Sequence, residues 1–134
     1  DQATIASASA RAAGFTLLEI VTGLPGAVYA LEQGDVERTA VIGAHIRELS
    51  GGTMWRFPQC LLSAIDCELH LRHGEPAAGL AALRETLRLA HNPRMAAFLV
   101  PAKRWLPRQL ALAFEHNIET ETAQRLIHRF DLAP

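Results

Sequence analysis

The sequence predicts an all-α fold of stacked antiparallel helical hairpins, and three observations predict it. Apolar residues recur at spacings of three and four along most of the chain. Gly, Asn and Pro punctuate that pattern at Gly34-Asp35, Gly51-Gly52, Gly74-Glu75-Pro76 and Asn92-Pro93, each a signal that ends one helix or opens the next. A shift of 40 residues, from Gly34 to Gly74, lays one helix on another: Ile20 meets Cys60, Val21 meets Leu61, Leu31 meets Leu71.

Composition sets the bounds. The chain has 134 residues, 49% hydrophobic and 20% charged, enough for one globular domain with a core. Aromatic residues are only 6%, so the core is built of Leu, Ala, Ile and Val, a mix that favours helices. A net charge of −1 supplies no overall attraction to nucleic acid or anionic membrane. Cys60 and Cys67 lie ~10 Å apart along a helix axis, too far for a disulfide, and free thiols suit a cytoplasmic location. The longest apolar run, Ile20 to Leu31, is interrupted by Gly23, Pro25 and Gly26, so no membrane span is expected. The chain begins at Asp1 and ends at Pro134, just past a helix. The expectation is a single helical-repeat domain, 1–134, excised from a longer multidomain chain, with hairpins at about 15–50, 54–92 and 94–130.

Residues 2–13 are Ala- and Ser-rich and read as the end of a helix that starts upstream. Helix A, residues 15–33, carries a seam of Leu17, Val21, Leu24, Val28 and Leu31, with Pro25 as a kink. Gly23, Ala27 and Ala30 allow close approach of a neighbour. Asp35 is placed to cap helix B, residues 36–49. Helix C runs from about Pro58 to His73. Helix D opens at Glu75-Pro76 with a seam of Leu80, Leu83, Leu87 and Ala90 opposite a stripe of Arg84, Arg88 and His91. Residues 94–116 are helical but broken near Pro101 and Pro107. Asn117 takes the left-handed conformation that ends a helix. The last helix, 120–130, turns Ala123, Leu126, Ile127 and Phe130 inward and places Arg125, His128 and Arg129 toward its C-terminal end. A third copy of the repeat puts Phe114 on Leu71 and Asn117 on Gly74. Helix pairs at this spacing resemble a tetratricopeptide-like right-handed superhelix, although Trp and Tyr are not at that repeat's usual places.

Helix C carries a polar stripe of Gln59, Ser63, Asp66, His70 and His73. First helices of stacked hairpins line a concave face, so this stripe, with Glu19, Tyr29 and Gln33 of helix A, is the candidate groove for a ligand or partner. A small helical metal protein or enzyme using Asp66, His70 and His73 is an alternative reading. Trp55-Arg56-Phe57-Pro58 and Lys103-Arg104-Trp105 are basic–aromatic stretches, read as Trp packing between hairpins with the cations at the surface. Cys60 and Cys67 sit in apolar pattern that raises a thiol pKa, a poor setting for a nucleophile. The chain carries no Gly-rich phosphate loop, Cys-x-x-Cys pair or Ser/His/Asp order, and neither catalysis nor a cofactor is expected.

Residues 109–130 also fit a helix-turn-helix, with Ala113, Asn117, Ile118, Ala123 and Leu126 at its small, turn and core positions. The second helix would then enter the major groove through Glu119, Thr120, Glu121 and Thr122. Two carboxylates would face phosphates there, which disfavours direct nucleic-acid binding.

Leu110-Ala-Leu-Ala-Phe-Glu-His-Asn-Ile-Glu119, with Arg125-Leu-Ile-His-Arg129 and Leu132-Ala-Pro134, resembles the end of the helical-repeat region of MalT-like, LuxR-related bacterial transcriptional activators. Arg11-Ala-Ala-Gly-Phe15 and Ala30-Leu-Glu-Gln-Gly-Asp35 resemble its first hairpin. The family's nucleotide-binding motifs are missing, and residues 92–108 depart from its pattern. The resemblance implies a signal-sensing or protein-interaction module of a transcription regulator. Its partners would be the parent's other domains and a protein, peptide or small-molecule effector, and exposed end faces would allow a homodimer. Gly14-Phe15-Thr16-Leu17-Leu18-Glu19 resembles the processing site of type IV pilins. A pilin needs a basic leader before this site and a long apolar helix after it; only Arg11 precedes it, and Glu32-Gln33-Gly34-Asp35 closes the apolar stretch.

Overall fold

The computed structural model describes residues 2–51 and 56–132. Every regular element among them is helical: α1 (Gln2–Glu32), α2 (Val36–Gly51), α3 (Phe57–Arg72), α4 (Pro76–Ala90), α5 (Pro93–Ala96), a 3₁₀ helix (Ala97–Ala102), α6 (Leu106–Glu115) and α7 (Thr120–Phe130). They form two compact units, Asp1–Met54 and Trp55–Pro134. Gly52, Trp55 and the closing Ala133-Pro134 lie outside the described residues.

The first unit is the α1–α2 hairpin. The Ala- and Ser-rich start and helix A are one helix of 31 residues that passes through Pro25. Among its described residues the buried side chains are Ile20, Leu24, Ala27, Val28, Ala30 and Leu31, whereas Val21, expected in the seam, is 49% exposed. At about 100° per residue, Val21 falls just past the edge of the arc that Ala30, Ala27, Ile20, Leu31, Leu24 and Val28 bury. Gly23 permits the close approach: a Cβ there would lie 3.1 Å from Ile46 Cδ1 of α2. Asp35 caps α2 by accepting a hydrogen bond from the Arg38 amide at 3.1 Å. Arg11–Glu32 is long and apolar enough to cross a membrane, with 33% of its most apolar 18-residue stretch buried within the protein. This corrects the sequence expectation: Gly23, Pro25 and Gly26 interrupt the apolar composition but not the helix.

The second unit holds α3 to α7. Helices α3 and α4 pack as an antiparallel pair, with Leu83, Leu87 and Ala90 of the expected seam buried and Leu80 half-buried. Gly79 sits where a Cβ would come within 2.9 Å of Leu71 Cδ2. Pro101 lies within the 3₁₀ helix, while Pro107 falls in the first turn of α6. Pro107 therefore opens a helix rather than breaking one, because a first-turn N–H has no intrahelical acceptor to lose. Ala123, Leu126 and Phe130 of α7 are buried, and Ile127, also expected inward, is half-buried.

Four helices end alike. Gly34, Gly74, Asn117 and Asp131 have φ of 78°, 71°, 54° and 51°. The following amide closes a six-residue ring in each case: Asp35 to Ala30, Glu75 to His70, Ile118 to Ala113 and Leu132 to Ile127, at 2.9, 2.9, 2.8 and 3.0 Å. These are Schellman caps, and three fall at the positions that the repeat alignment places together.

Candidate functional site

The predicted groove residues divide between the units. In the first, Glu19, Tyr29 and Gln33 are exposed, and Glu19 reaches His45 of α2 at 3.4 Å. In the second, Ser63 is buried, Gln59, Asp66 and His70 are half-buried, and His73 is exposed. His70 and His73 both address Glu75, at 3.4 and 3.7 Å, across the α3–α4 turn. Among the described residues no three His, Cys, Asp or Glu side chains are grouped to hold a metal ion. Asp66, His70 and His73 are thus not assembled as a ligand set.

Cys60 and Cys67 are free and fully buried. Burial pushes both thiols up to about 12, with Glu85 adding at Cys60 and Glu68 at Cys67. Trp105 is buried, with Lys103 and Arg104 exposed beside it, as the packing reading requires.

A buried carboxylate went unread in the sequence. Glu68 is 2% exposed. It accepts from Arg72 Nε at 3.1 Å, lies 3.3 Å from Arg108 Nη2, and meets Gln109 Nε2 at 3.4 Å. Gln109 also donates to the Ala64 carbonyl at 2.9 Å. This network ties α6 to α3. Its sequence signal is an acidic residue inside the apolar run of helix C, four before an Arg.

The surface with recognition chemistry lies between α4 and α7. Residues 81–91 of α4 and its C-cap run alongside residues 117–129 of the turn and α7, and two pockets open along this seam. The first, about 420 Å³, is bordered by Arg84, Glu85, Arg88, Asn117 and Glu119. Arg88 grips Glu85 with two hydrogen bonds, at 2.6 and 2.9 Å, which holds the Glu85 carboxyl below its ordinary range. The second, about 240 Å³, is bordered by His91, Thr122, Arg125 and Arg129 over Ala90 and Leu126. Arg125 Nη2 donates to His91 Nδ1 at 2.9 Å and to Thr122 Oγ1 at 3.3 Å. Arg129 Nη1 donates to the Pro93 carbonyl at 2.6 Å.

Each half of this seam was visible in the sequence as a basic stripe, one on helix D and one on the last helix. Their meeting was not, because no local pattern specifies which faces pair. The seam also uses a residue of the would-be DNA-reading helix: Thr122 is 2% exposed and faces His91.

No family model matches the chain, and no curated protein or solved structure is significantly similar to it.

Proposed function

We propose that the chain is a non-catalytic signal-sensing or protein-interaction module of a bacterial transcriptional regulator. Its hairpins form a tetratricopeptide-like right-handed stack, and the α4–α7 seam receives the effector. The observation that carries this reading is the seam, where two pockets open side by side under basic side chains from two hairpins. Pockets bordered by a few convergent polar groups over apolar side chains are ordinary recognition sites. The recurrence of one helix cap at Gly34, Gly74 and Asn117 supports the repeat reading.

Replacing Arg84 and Arg88 together with Gln in the host gene tests the role. The transcript profile should shift toward that of a gene deletion at unchanged protein level. An unaltered profile beside a deletion that does change it would overturn the reading. Fluorescence anisotropy with duplex DNA should show no saturable binding. Saturable binding that weakens steeply with salt would replace this reading with the helix-turn-helix one.

A further inference from the structure

The smaller seam pocket has the chemistry of an anion site. Arg125 and Arg129 border it, and neither forms an ion pair with a carboxylate of the described residues. Arg125 spends Nη2 on His91 and Thr122, which leaves its Nε and Nη1 donors; Arg129 spends Nη1 on the Pro93 carbonyl, which leaves Nε and Nη2. Because His91 Nδ1 accepts from Arg125, the neutral ring carries its proton on Nε2, a further donor. No acidic side chain borders the pocket, and Ala90, Ala96 and Leu126 contribute apolar surface. The larger pocket differs, since Glu85 there already occupies Arg88.

We infer that this pocket binds the oxyanion of a small molecule, a carboxylate or a phosphate monoester, through Arg125 and Arg129. Guanidinium forks match the geometry of such groups and bind them in pairs of hydrogen bonds. The anchoring of each Arg by His91, Thr122 and Pro93 lowers the cost of ordering it when the anion arrives. The volume, about 240 Å³, lies below the ~300–1,000 Å³ of drug-sized sites and suits a small ligand or one charged end of a larger one. The inference rests on the seam being a recognition surface, not on the regulatory role.

The test is a titration of the folded protein with inorganic phosphate and, separately, with succinate. It is followed by NMR shifts at Thr122 and Arg129, with chloride at matched ionic strength as the control. One of the two anions should bind saturably where chloride does not. Arg125→Gln and Arg129→Gln should each weaken it at least about tenfold. Both side chains lie at the surface, so circular dichroism should remain native. Arg129→Lys, which keeps the charge but loses the fork, should weaken binding less than Arg129→Gln. Lys103→Gln, exposed and outside both pockets, should leave the affinity within about twofold. No saturable binding by either anion, or binding untouched by Arg125→Gln and Arg129→Gln, would overturn the inference. If the Arg84/Arg88 variant alters transcription while neither anion binds, the anion site alone fails and the regulatory reading stands.

Discussion

Glu68 shows what one buried charge does in this protein. Its carboxylate is held by Arg72, Arg108 and Gln109, yet the cation side chains are 32% and 57% exposed. Removing the carboxylate therefore takes one partner from cations that water can still reach, a smaller cost than stranding a fully buried charge. Glu68→Ala should lower stability by about 2 kcal/mol in urea titration with an unchanged slope, from lost charge-assisted hydrogen bonds. A loss below ~0.5 kcal/mol would place the network among pairs that contribute nothing. The thiols make a second residue-scale prediction. Both folded-state values rise from 9.0 to about 12, so the folded protein holds protons that the unfolded chain releases between these values. Stability is undiminished below pH 9 and falls as pH rises from about 9 toward 12. Cys60→Ala and Cys67→Ala should each flatten that alkaline fall in pH-dependent melts. At pH 8 a thiol reagent should label neither cysteine until denaturant is added.

At the scale of elements, the shared Schellman caps rank the turns. Gly34 and Gly74 enter the left-handed region without a Cβ, whereas Asn117 enters it against a steric penalty. Gly74→Ala should cost about 1–2 kcal/mol, and Asn117→Gly should raise the melting temperature. Equal melting temperatures for Asn117→Gly and the parent would show that the Asn side chain compensates for its backbone. Helix α1 makes a different prediction. It has 31 residues against 16 in α2, roughly 46 Å against 24 Å at 1.5 Å per residue. Residues 11–15 are exposed, while deep burial begins at Ile20. Amides before residue 16 should exchange with solvent far faster than those of residues 20–31, as measured by hydrogen exchange. Uniform protection along α1 would mean that the first half has a partner.

For the whole molecule, the division at Met54–Trp55 predicts folding behaviour. The second unit has a core of its own, with Leu83, Leu87, Leu99, Leu106, Leu110 and Leu126 at 2% exposure or less. A fragment beginning at Arg56 should melt cooperatively on its own by circular dichroism. The first unit is a single helix pair, and such a pair buries too little surface to be stable alone. A fragment from Arg56 that lacks a cooperative melt would show that the hairpin of α1 and α2 is required for the core.

The helices and their ends were legible in the sequence because their causes are local. Asp35 caps the helix that follows it, and Gly34, Gly74 and Asn117 turn the chain with hydrogen bonds spanning no more than six residues. Most of the inward sets of α4 and α7 followed from their periodicity, with Leu80 and Ile127 half-buried at the edges of their faces. Helix α1 is apolar on several faces, and its packing against α2 sets which face is buried, so that Ile20 is buried and Val21 is 49% exposed. The same holds for Glu68, whose partner Gln109 lies 41 residues away, and for His91 and Arg125, 34 apart. Such pairs depend on which helix faces meet, and that choice is made by packing across the whole unit. The sequence by itself determined where this chain coils and turns; tertiary structure alone decided that two basic stripes would meet over a pocket.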